Sequence, residues 1–101
     1  MKCAFHPEAE AELSQAVDYY NACQPHLGGD FSREVYATIR NIIAYPKAWT
    51  PLSKHTRRCL VHRFPYGVIY QVTGEAILII AVMQLNRKPG YWQGRSTGLQ
   101  P

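Results

Sequence analysis

Long apolar runs are missing from this chain of 101 residues. The most hydrophobic stretch, "AILIIAVM" at Ala76 to Met83, falls far short of the ~18 apolar residues that a membrane-spanning helix needs. Cysteine is also scarce. Cys3, Cys23 and Cys59 are odd in number and far apart, which suits a reducing cytoplasm better than a disulfide scaffold. The opening "MKCAFHPEAEAE" turns acidic at once and has neither a long apolar stretch nor a small-residue cleavage site, so no signal peptide is expected. Metal-ligand spacing is lacking too. Cys59 and His62 are three apart, which on a strand points them to opposite faces, and His6, His26 and His55 have no partner at ligand spacing. Gly28 and Gly29 lead into a helix without the lysine and flanking strand of a nucleotide-binding loop. Neither a metal nor any other cofactor is expected, nor a membrane partner.

Acidic residues are scarce in one half only. Up to Pro46 the formal charge is −3; from Lys47 onward Glu75 stands alone against eight lysines and arginines, giving +7. A basic half favours an anionic partner, either nucleic acid or an acidic protein segment, although a solvated face that aids solubility looks the same in composition. The chain is 47% hydrophobic and 18% charged, a globular composition. Its length allows one domain, residues 1–101, with an expected core at about 2–92 and a tail at 93–101.

Periodicity supplies the elements. "KCAF" is short and apolar enough for a strand. Pro7 suits a first helical position, Glu8, Glu10 and Glu12 complement the helix dipole, and Leu13, Ala16, Val17 and Tyr20 form a buried stripe. This predicts a helix at about Pro7 to Cys23, broken by "QPHLGG". A second helix carries Phe31, Val35, Ile39, Ile42 and Ile43 on one face and ends before Pro46, so the pair reads as an antiparallel hairpin. "YPKAWTPLSKHT" reads as loop. Then "RCLVHRF", "VIYQV" and "AILIIAVM", separated by "PYG" and "TGE", read as an antiparallel meander whose last strand is central. The expected fold class is α+β, in the order β–α–α–β–β–β, with the helical hairpin packed on an antiparallel sheet.

"HPEAEAELSQAVDYY", "LGGDFSREV", "RRCLVHRFPYGVIYQV" and "AVMQLNRKPGYW", in that order, resemble the RelE/ParE superfamily of bacterial toxins from type II toxin–antitoxin modules. The most specific pieces are "RFPYGVIY" and the closing R-x-P-G-Y-W. The resemblance implies a compact cytoplasmic, plasmid-stabilisation type toxin neutralised by a cognate antitoxin lying across its surface. It also implies one of two activities: a ribosome-dependent endoribonuclease acting on mRNA, or a non-enzymatic poison of DNA gyrase.

Metal-free RNA cleavage needs a base for the 2′-hydroxyl, an acid for the leaving oxygen, and cations on the phosphate. On that reading the catalytic candidates are His62, Arg63, Arg87 and Tyr91. Two departures oppose it. Gly67 stands where the ribonuclease branch carries a phosphate-stabilising arginine, and Gln84, which is no acid or base at neutral pH, stands where many relatives carry histidine. The binding reading asks only for cationic and aromatic anchors, and its candidates are Arg57, Arg58, Arg87, Lys88, Tyr91, Trp92 and Arg95. A plain structural role competes for each. Aromatics after a central strand commonly fold back to cap the sheet, and Arg57 and Arg58 are also charges that discourage edge-to-edge aggregation. A non-toxic nucleic-acid-binding module is the remaining reading. The expectation common to the first two is that the last strand ends by gathering Arg87, Tyr91 and Trp92 beside Arg58, His62 and Arg63 at one rim.

Overall fold

Two helices lie on one face of a five-stranded sheet in the computed structural model, which describes residues 2–95. In chain order the elements are β1 (Lys2–Phe5), α1 (Pro7–Cys23), α2 (Leu27–Ala44), β2 (Thr50–Pro51), β3 (Arg57–Leu60), β4 (Tyr66–Thr73) and β5 (Ala76–Gln84). The spatial order is β1-β5-β4-β3-β2. The meander β3–β4–β5 is antiparallel as the turns required, and β5 is interior. The sheet as a whole is mixed rather than antiparallel, because β1 runs parallel to β5 with Lys2 opposite Ala76 and Phe5 opposite Ile79. That pairing joins the two ends of the chain and leaves no local trace in the sequence.

Helix α1 starts where its chemistry dictates. His6 caps it by accepting the Glu8 N–H on Nδ1 at 3.1 Å, and Pro7 occupies the first turn, where its missing donor costs nothing. Helix α2 begins earlier than expected and includes both glycines of "QPHLGG". The reason is the helix crossing. A Cβ on Gly28 would stand 2.4 Å from the Val17 carbonyl oxygen, so only glycine lets the backbones approach, and the Gly28 N–H donates to Asn21 Oδ1 at 2.8 Å. "TP" at Thr50–Pro51, inside the expected loop, pairs with β3 as a two-residue edge strand.

The main core lies between helices and sheet. Ala9, Leu13 and Ala16 from α1 and Phe31, Val35, Ile39 and Ile42 from α2 meet Val68, Tyr70, Ile77, Ile79 and Val82. Tyr70 is fully buried there and donates its hydroxyl to the Pro46 carbonyl; burial pushes its phenol up to about 12, against the nearby Arg57, which lowers it. A bulge in β5 breaks the alternation: Ile69 opposes Ala81 and Tyr70 opposes Ile79, so Ile80 is the extra residue. Ile80 and Ala81 consequently belong to a second, smaller core with Ile69, Met83 and Trp92 on the helix-free face. This accounts for a strand that is apolar on both sides.

Candidate binding surface at the end of the last strand

β1 gives out before β5 does. The His6 N–H reaches the Ile79 carbonyl at 2.8 Å, and the chain then turns away into α1. From Ile80 onward the outer edge of β5 has no strand beside it, and its backbone groups need other partners. Side chains supply them. Glu12 Oε1 accepts the Val82 N–H at 3.0 Å, and Arg95 Nη1 donates to the Ile80 carbonyl at 3.3 Å. The two side chains also pair with each other, Arg95 Nη1 to Glu12 Oε2 at 3.0 Å, and both are nearly buried, with 11% and 12% of their side-chain surface exposed. Glu8 adds a weaker contact to Arg95 at 3.4 Å.

Tyr91 lies between the arginines of this group. The Arg87 guanidinium stacks on its ring at 3.6 Å from the centroid, Arg95 approaches at 5.0 Å, and Arg87 also reaches Glu12 at 3.4 Å. Burial and then the neighbouring Glu12 carboxylate push the Tyr91 phenol far above its ordinary range, outweighing the two arginines. A phenol held this firmly in its neutral form is a poor general base. Arg87 itself is half exposed and faces solvent beside Gln84 and Tyr19, at a hollow of about 230 Å³.

Trp92 and Arg58 lie elsewhere. The return from Pro89 to Arg95 folds across the helix-free face and buries Trp92 against Ile69, Ile80 and Met83. Arg58 faces the same way from β3. Its aliphatic stem crosses over Gly67, where an added Cβ would stand 3.0 Å from Arg58 Cγ, so Arg58 occupies space that a side chain at position 67 would claim. A cleft of about 330 Å³ opens between Arg58, Met83, Leu85, Pro89 and Trp92.

The remaining candidates are dispersed. Arg57 lies on the other face of β3, where it donates to the Trp49 carbonyl at 2.8 Å and lines a basic hollow with Lys47, Lys54 and His55. His62 and Arg63 are carried by the β3–β4 turn, not by a strand, since β3 ends at Leu60. Arg63 has φ 74°, lies 5.3 Å from the centre of the Phe64 ring and pairs with Asp30 at 3.7 Å, which draws it towards the start of α2. Lys88 is exposed. Thus Arg87, Tyr91 and Arg95 come together, Arg58 and Trp92 form a second group on the helix-free face, and Arg57 stands apart from both. Residues 93–95 of the expected tail belong to the ordered return, and 96–101 lie outside the described residues. Among the described residues no three His, Cys, Asp or Glu side chains gather as a metal ion would require, and no helix is long and apolar enough to cross a membrane.

Glu12 is the member that sequence reasoning passed over as a helix-dipole charge. A signal existed: it follows Ala9 by three residues and precedes Ala16 by four, so it borders the buried stripe of α1.

Comparison with known proteins identifies the family. The family model described as the ParE toxin of the type II toxin–antitoxin system parDE matches residues 4–89. The chain belongs to the ParE toxin family. Toxin ParE2 of Mycobacterium tuberculosis strains CDC 1551/Oshkosh and H37Rv is similar to it, 32% identical over 94 residues that cover 92% of this chain and 90% of the relative. Its fold is similar to that of a solved structure described as the chromosomal ParDE TA system from P. aeruginosa, with a TM-score of 0.74 at 18% identity, covering 84% of this chain and 96% of that one. The protein is therefore a toxin of the type II toxin–antitoxin kind, which implies an antitoxin as its partner.

Proposed function

We propose that this toxin acts in the cytoplasm by binding a cellular protein, DNA gyrase being the target the family suggests, and that Arg87 stacked on Tyr91 is its principal anchor. The observation that carries the reading is the geometry at Tyr91, whose ring serves as the platform on which a half-exposed arginine is held, 3.6 Å from the centroid. An ordered guanidinium on an aromatic face is the kind of feature that dominates protein interfaces. The ribonuclease reading has less support. His62 lies in an exposed turn, Arg63 is drawn towards Asp30, Gln84 offers no acid or base, and Gly67 has no side chain. The test is induced expression of the wild type and of Arg87→Ala. Growth arrest with intact transcripts, inhibited supercoiling by purified gyrase, and loss of both in the variant are expected. Rapid cleavage of translated messages, or full toxicity of Arg87→Ala, overturns the proposal.

A further inference from the structure

The positive charge of the second half is not spread evenly. No aspartate or glutamate stands between Glu34 and Glu75, while Arg40, Lys47, Lys54, Arg57, Arg58 and Arg63 fall in that interval. The fold relieves part of the excess: Arg63, Arg87 and Arg95 each meet a carboxylate. Among the described residues no carboxylate pairs with Lys47, Lys54 or Arg57, and these three line one hollow of about 180 Å³ with His55, Ser53 and Thr56. Both lysines and His55 are exposed and Arg57 is half-buried, so the charges are open to a ligand. Ordered chain holds them in place. β2 pairs with β3, and the Leu52 and Ser53 N–H groups close the connection by donating to the Thr56 carbonyl at 2.8 and 3.3 Å. Arg57 is anchored by Nη1 to the Trp49 carbonyl at 2.8 Å, and the rest of its donors have no acceptor among the described residues.

We infer that this hollow binds the phosphodiester backbone of a nucleic acid. Cations fixed in a concavity focus their field on an anion that enters it. The lining selects the anion. Ammonium, guanidinium and hydroxyl groups are the usual donors to phosphate oxygens, and among the described residues only Val72 and the Tyr70 ring add apolar surface to the lining. An acidic peptide would find little to cover there, since the cores of protein interfaces are depleted of charge, whereas nucleic-acid interfaces are polar and strongly basic. The hollow lies apart from the Arg87–Tyr91 anchor. Arg57 begins β3, beside the β2 edge, and Arg87 follows the end of β5, across β4. One margin of the toxin thus holds a protein and the other a nucleic acid, whichever protein the target is.

The probes are a fluorescently labelled DNA duplex and a labelled RNA strand of equal length, each titrated with the full-length toxin at about 50–200 mM salt and read by anisotropy. Three phosphate contacts predict that log K falls against log salt with a slope of about −2.7 for a duplex, at about −0.9 per contact. Lys47→Gln and Lys54→Gln are each expected to flatten the slope by about 0.9 and to weaken binding by about tenfold at the lowest salt, uniformly across sequences. Lys2→Gln, which removes the same charge from the exposed start of β1, is expected to leave the slope nearly unchanged. The wild type gives a second reading that needs no variant to fold: its backbone amide resonances from Ser53 to Arg57 are expected to move when the nucleic acid is added. Absence of binding to both probes overturns the inference, as does unchanged binding in both lysine variants. An equal loss of slope in Lys2→Gln also overturns it, since the attraction is then diffuse. So does a polyglutamate peptide that moves the Ser53 to Arg57 resonances at lower concentration than either probe, or inorganic phosphate that moves them where neither probe does. Each of these results leaves the toxin assignment standing.

Discussion

Replacing Glu12 by alanine is the sharpest probe of how the end of the sheet is held. The substitution strips the Val82 N–H of its acceptor and leaves the buried Arg95 with Glu8, at 3.4 Å and with a side chain 67% exposed, as its one carboxylate partner among the described residues, beside its bond to the Ile80 carbonyl. Removing one partner of a buried pair costs about 3–5 kcal/mol, because the other charge stays uncompensated in a poor dielectric. The orphaned backbone donor adds to the same disruption, at about 1–3 kcal/mol where the group stays dry. These two overlap, since water admitted to one site reaches the other, so a loss of about 3–5 kcal/mol is expected in total. Against a typical stability of about 5–15 kcal/mol this brings the protein near its threshold. With a urea dependence of about 1.5 kcal/mol per molar, the unfolding midpoint falls by at least about 2 M, readable by circular dichroism. Glu8→Ala is the control. It touches the same guanidinium from the exposed side, and exposed pairs contribute less than about 1 kcal/mol. Midpoints for Glu12→Ala and Glu8→Ala within about 0.5 M of each other would refute the view that Glu12 closes the open edge of β5.

Three further expectations are independent of that pair. Gly28→Ala should destabilise by about 1–3 kcal/mol, because its methyl group would meet a backbone carbonyl that cannot swing aside, whereas Gly29→Ala, whose nearest neighbour is Arg33 Nη1 at 3.6 Å, should stabilise by about 0.5–1 kcal/mol; thermal melts of the two separate the cases. Alkaline titration should weaken the fold between pH 10 and about 12. The Tyr70 phenol is raised in the folded state, so its contribution is complete below its unfolded value and is lost as pH rises through the folded one, about 2 kcal/mol at pH 12, with Tyr91 acting in the same sense; chemical denaturation across that range, alongside phenolate absorbance, checks it. Arg87→Ala should cost no more than about 1–1.5 kcal/mol of stability, since the side chain is half exposed, so loss of toxicity in a variant with a near-normal melting curve isolates its role in binding.

What the chain disclosed in advance followed from short-range regularity. The stripe Leu13, Ala16, Val17 and Tyr20, the cap at His6 and Pro7, and the unbroken "AILIIAVM" are local patterns, and they located both helices and an interior last strand. Long-range pairing was not legible. β1 runs parallel to a strand more than seventy residues away. The expected strand "RCLVHRF" ends early at Leu60 because the chain turns there, with Arg63 in a left-handed conformation that no side-chain pattern announces. The same holds for the site. That Arg87 and Tyr91 would share one end of the sheet followed from the interior place of β5. That Arg95 would be buried on Glu12, and that Trp92 would seal a second core while Arg58 crossed above Gly67, depended on a return of the chain that composition alone does not encode.

The union of β1 with β5 has a temporal consequence. Lys2 finds its neighbour only once Glu75 and Ala76 have been made, and the bonds from Glu12 to Val82 and from Glu8 to Arg95 span 70 and 87 positions. A nascent chain on the ribosome therefore lacks the β1–β5 pairing until Ala76 to Ile79 have been made, and the Arg87–Tyr91 platform until the residues after β5 have followed. The interval between release and closure gives a waiting antitoxin its first opportunity, before the host is exposed to an active molecule.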